Sequence, residues 1–199
     1  ALFHSVVWAE LYEVGQLRTE HSRFWRGDDL PGAAYTELAC GLHWNCAAPG
    51  DPPLWLPTKL AWEPQADGSA IVVEAPRGVW LSSSLKQHPC LITEPADNEL
   101  PPLQFTFHGL GYLNPHSGDF AWIGRGKDSP LQLEGALAFY RDVLEGVDAS
   151  WVVQHKGDGP SAGLVLHELP PAPSVFGFSP EDPVSLVVVS EVVSPNDET

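Results

Sequence analysis

Two groups of histidine-centred residues and one tripeptide in this sequence could do chemistry or bind a partner. The first is Cys40-x-x-His43-x-x-Cys46. Thiolate and imidazole are the ligands that zinc holds tetrahedrally, and Cys90 or His88 would have to supply the fourth position. The spacing is none of the common zinc patterns, and buried thiols in a packed strand account for it more simply. The second is His155 with His167, on the two arms of a hairpin turning at Gly157-Asp158-Gly159-Pro160. If they face each other, with Glu168 or Asp158 beside them, an acid–base or metal site results. Exposed strand positions are the plainer account. The third is Arg26-Gly27-Asp28. An exposed Arg-Gly-Asp holds a cation and a carboxylate apart on a loop tip, the arrangement that engages integrins, although tripeptides also recur by chance.

Other signals are weaker. Ser82-Ser83-Ser84 precedes His88, but no Gly-x-Ser-x-Gly elbow surrounds any serine. Gly124-Arg125-Gly126-Lys127 stands before an expected helix start, where free backbone N–H groups favour anions, yet it lacks the spacing of a phosphate loop. Trp8, Trp25, Trp44, Trp55, Trp62, Trp80, Trp122 and Trp151 are spread along the chain and suit core or subunit-interface anchors, with a carbohydrate platform as the alternative. No catalytic residue, metal or cofactor is assigned from these patterns.

The elements that must position these groups are mostly strands. Residues 4–14, 34–44, 54–62, 69–75, 78–81, 90–93, 103–108, 119–123, 150–155, 163–169 and 184–193 have strand composition. In 103–108, Leu103, Phe105 and Phe107 alternate with Gln104, Thr106 and His108, the period of a half-buried strand. Asp67-Gly68 between apolar runs predicts a hairpin. Residues 15–33 read as a long excursion, and 95–102 as a connector. One principal helix is expected over 131–145. Ser129 would cap it, Pro130 would open it, and Gly146 would end it. Leu133, Ala136, Leu137, Tyr140, Val143 and Leu144 would form its apolar face. Many strands, one helix and no βαβ rhythm predict a mainly β fold. The expected form is an antiparallel β-sandwich, jelly-roll-like, folded as a single domain over residues 1–199.

Composition narrows the function. The 199 residues carry 26 acidic against 10 basic groups, a net charge of −16, which repels phosphate backbones and excludes direct nucleic-acid binding through a basic surface. No apolar stretch is long enough to predict a membrane span. Pro (20) and Gly (18) suit short elements joined by rigid turns, while the 43% apolar content supplies a core. Three cysteines imply no disulfide framework and favour a cytosolic setting. No position is Met, the first included, so the chain is expected to be cut from a longer one, as a segment released from a precursor, a processed mature chain or an excised domain.

Two resemblances bear on the reading. A Met-free, acidic, Pro- and Trp-rich β chain ending in a long apolar strand and a short Pro-containing tail resembles the jelly-roll coat subunits of small icosahedral RNA viruses, released from a polyprotein. That resemblance implies a capsid protein acting by subunit association, with other protein subunits as homo- or hetero-oligomeric partners, located in the virion or the host cytoplasm. Locally, Phe139-Tyr140-Arg141-Asp142-Val143-Leu144-Glu145-Gly146 resembles the helix end of the glyoxalase/bleomycin-resistance family, which implies a small metal-dependent enzyme or ligand-binding domain. Glu145 interrupts that pattern, and no ligand carries over. A protein-interaction module is the remaining alternative.

Overall fold

The computed structural model describes residues 11–27, 34–94, 101–157 and 159–193. Its strands in chain order are β1 (Leu11–Glu13), β2 (Ser22–Gly27), β3 (Ala34–Leu38), β4 (His43–Asn45), β5 (Trp55–Pro57), β6 (Glu63–Pro64), β7 (Ala70–Val72) and β8 (Val79–Leu81). They continue with β9 (Leu91–Thr93), β10 (Leu103–Leu113), β11 (Phe120–Arg125), β12 (Leu131–Glu134), β13 (Leu137–Tyr140), β14 (Ala149–Lys156), β15 (Gly159–Leu166) and β16 (Ser185–Val193). Short 3-10 turns lie at Gly15–Leu17 and Pro173–Phe176. The protein is mainly β, and the strand pairs are antiparallel. Two compact units divide the chain: residues 1–59 with 74–76, and residues 60–73 with 77–199.

In the first unit, β1, β2 and β3 form a three-stranded sheet, and β4 pairs with β5. Strand β2 occupies part of the expected 15–33 excursion. Its Ser-Arg-Phe-Trp-Arg-Gly sequence hides apolar positions between charges, and pairing on both sides supplies what its composition does not advertise.

In the second unit, β11-β10-β9-β8-β7-β6 run in order through one sheet, with β16 added on β10. The second sheet is β12-β13-β14-β15. The Asp67-Gly68 turn joins β6 to β7, so Glu63–Pro64 rather than 54–62 is the partner arm. The sheets meet through aromatic rings. Phe105 and Phe107 stack on Trp151 at 5.6 and 5.9 Å between centroids, and Tyr140 stacks on it at 5.7 Å. Each such pair contributes about 0.5–1.5 kcal/mol beyond the area it buries. An exposed ion pair such as Lys59–Glu74 contributes about 0–1 kcal/mol, so the rings dominate. The Tyr140 hydroxyl donates to the Ser82 carbonyl at 2.5 Å, and burial holds the phenol well above its ordinary pKa.

The expected helix over 131–145 is not formed; among the described residues no α-helix occurs. Residues 131–140 are instead the β12–β13 hairpin, with Glu134 opposite Leu137 and Leu131 opposite Tyr140. Leu-Gln-Leu-Glu and Leu-Ala-Phe-Tyr satisfy a period of two as well as one of 3.6. Gly135 decides between them. Its φ of +60° is the left-handed conformation that the first central residue of a two-residue turn requires. In a helix, the same glycine would cost about 1 kcal/mol relative to Ala. Ser129 and Pro130 do not start a helix either: Ser129 Oγ donates to the Arg141 carbonyl at 2.6 Å, and Pro130 forms a bridge with Ser84.

Strand β10 runs well past residue 108 because a bulge lets it. Phe107 faces Ser190 and Gly109 faces Val189, leaving His108 as the extra residue. The inward-facing positions therefore switch from Phe105 and Phe107 to Leu110 and Tyr112.

Candidate functional site

The cysteine–histidine cluster resolves into a structural node rather than a ligand set. His43 is fully buried at the start of β4. Its Nδ1 lies 2.8 Å from the Thr19 carbonyl and its Nε2 lies 3.0 Å from Glu13 Oε1. Each ring nitrogen thus has an oxygen acceptor within hydrogen-bond reach. Arg18 grips the same carboxylate, Nε to Oε1 at 2.7 Å and Nη2 to Oε2 at 3.1 Å. Burial pushes the Glu13 pKa up, but the hydrogen bonds and charges of Arg18 and His43 outweigh it and hold the carboxyl below its ordinary range.

The thiols are not the buried trio that composition suggests. Cys40 is exposed, Cys46 is half-buried and its Sγ donates to the Leu54 carbonyl at 3.3 Å, and only Cys90 is buried. Burial pushes the Cys90 thiol up to about 11, which makes it inert as a nucleophile or ligand at neutral pH. Among the described residues, no three His, Cys, Asp or Glu side chains converge to hold a metal ion.

The two hairpin histidines lie at opposite ends of β14–β15. His155 faces Pro160 beside the turn, whereas His167 follows the Ala149–Leu166 pair at the open end. Seven residue steps separate the two histidines, about 23 Å along the strands. His155 is buried edge-on to Trp62. His167 Nε2 lies 2.8 Å from Ser150 Oγ, while Glu168 accepts the Asp148 backbone N–H at 2.9 Å. Asp158 lies outside the described residues. Arg26 and Gly27 close strand β2, Arg26 exposed and opposite Tyr12 and Ala34; Asp28 lies outside the described residues.

The feature that composition missed is the inward row of β16. Val192 is opposite Phe105, Val188 opposite Leu110, and Leu186 opposite Tyr112, so these side chains continue the face that β10 buries. On β10 that face is covered by Trp151 and by Phe176 and Phe178. On β16 it is not: Leu186 is 45% exposed, Val188 48% and Val192 59%. Among the described residues, β10 is the only strand that pairs with β16. The apolar run 184–193 was legible in the sequence, but its exposure depends on where the facing sheet stops.

No family model matches this chain, and no curated protein or solved structure is significantly similar to it. The site must therefore be read from its own geometry. An open apolar row on a terminal strand can bury side chains against another surface and offer backbone groups for pairing. Among the described residues of that row, the one polar side chain is Ser190, opposite Phe107.

Proposed function

We propose that this chain works by association, as a structural subunit that buries the Leu186, Val188 and Val192 row of β16 against another subunit. The exposure of that row carries the reading. A single exposed valine is ordinary. Three large apolar side chains in register on one strand, continuing a core face, are the pattern of a surface meant to be covered. Strand addition would supply main-chain hydrogen bonds, and the row would supply apolar burial.

The finer form of this proposal is a jelly-roll-like coat subunit of a virus shell, resident in the virion or in the host cytoplasm during assembly. Antiparallel sheets meeting through Trp151, Phe105, Phe107 and Tyr140 support a layered β arrangement of that kind. The net charge of −16 supports a subunit that contacts protein rather than nucleic acid.

Light scattering on the purified chain tests the reading. The expected mass is a multiple of 21.6 kDa that rises with concentration. A mass equal to one chain at all concentrations would count against it.

A further inference from the structure

The opposite face of the β10–β16 pair carries a different feature. Lys86, His88, Phe107, His108, Trp122, Arg125, Gly126 and Val189 enclose a cleft of about 300 Å³, at the small end of the range for ligand pockets. Its apolar walls are Trp122 and Val189; Phe107 also borders it, although its ring packs inward on Trp151. Its polar groups are all basic. The Arg125 guanidinium lies 4.7 Å over the Trp122 ring, which fixes the cation's direction. Two glycines shape the site. A Cβ on Gly109 would fall 2.4 Å from the Gly124 carbonyl oxygen and 3.1 Å from the Trp122 ring, so only glycine admits this approach. Gly126 is held by donating its N–H to the His108 carbonyl at 2.7 Å.

The charge balance is what makes the cleft unusual. The chain has 26 acidic and 10 basic residues, so a cation should easily find a carboxylate. Lys127 pairs with Asp142 and Lys59 with Glu74. Among the described residues, Arg125 makes no ion pair; Lys86 makes no ion-pair contact, although its charge adds to the Ser84 hydrogen bond in holding the nearby Asp128 carboxyl below its ordinary range. Nearby acids are already engaged: Glu191 lies 3.4 Å from His108 Nε2, and Asp128 accepts from the Ser84 hydroxyl and the Lys86 backbone N–H. Arg125, without a carboxylate partner, and Lys86 beside it on one apolar cleft are arranged for an anion that comes from outside. A polyanion would be repelled by the net charge of the whole chain, so the ligand is small.

We infer that this cleft binds a small aryl carboxylate, its carboxylate set between Arg125 and Lys86 and its ring against Trp122 and Val189. The inference is independent of subunit association, because Val189 faces away from the Leu186, Val188 and Val192 row.

Calorimetric titration with naphthalene-2-carboxylate, against naphthalene-2-carboxamide as the uncharged control, tests it. The acid should bind about tenfold or more tightly than the amide, the size expected of one charge-assisted hydrogen bond. Arg125→Gln and Lys86→Gln should each remove a similar factor. Both side chains are exposed, so the variants should keep the wild-type circular dichroism. Failure of the acid to bind, equal binding of acid and amide, or wild-type affinity in both variants would overturn the inference.

Discussion

Glu13 is the residue where one proton matters most to the first unit. It accepts from Arg18 and from the buried His43, and its pKa is held below the ordinary value of 4.5. A carboxyl whose folded pKa is depressed stabilises the fold above its ordinary value, and loses that contribution as pH falls through the lower folded value. Glu13→Gln keeps the shape but removes the charge. Near neutrality, it should cost about 1–3 kcal/mol, the range for hydrogen bonds to charged groups. The gap between variant and wild type should narrow in acid, where the wild type is protonated too. Urea unfolding near neutrality and in acid measures both, and a gap independent of pH would contradict this role. None of it is visible in the spacing Cys40, His43, Cys46. The partners of His43 are Glu13 and Thr19, far off in sequence, and only the fold brings them to the ring.

At the scale of elements, the β12–β13 hairpin makes a prediction whose sign is informative. Gly135 has φ +60°, and an added Cβ would meet nothing within 4 Å. Gly135→Ala should therefore destabilise by about 1–2 kcal/mol through backbone strain alone. In the helix that the 131–145 pattern suggests, the same change would stabilise by about 1 kcal/mol. Thermal unfolding of Gly135→Ala separates the two, and the wild-type circular dichroism should lack the helical double minimum. The strands that were legible share a feature: β10, β14 and β16 are long, and alternation or continuous apolar runs mark them. The short pairs were not. Glu63–Pro64 has no strand composition, and β2 mixes charge with aromatics; register with neighbours makes both into strands. The helix expectation fails because residues 131–140 fit two periods and Gly135, at positive φ in the turn, selects the strand one. Residues 124–127, which offer only a weak anion-binding signal in the sequence, open no helix, yet Arg125 lines a cleft that Lys86 reaches from a distant segment.

At the scale of the whole molecule, two opposing terms set behaviour in solution. Net charge of −16 keeps chains apart, whereas the uncovered β16 row draws them together. Added salt screens the first and leaves the second. Association through an apolar row should thus strengthen with ionic strength, the reverse of what charge pairing would give. Sedimentation velocity on the wild type and on a Val188→Lys/Val192→Lys variant tests the central claim most directly. The account predicts a wild type that sediments as a dimer or larger species, and a folded variant that sediments as a single chain. Identical sedimentation of the two proteins, whether as single chains or as assemblies, would contradict it.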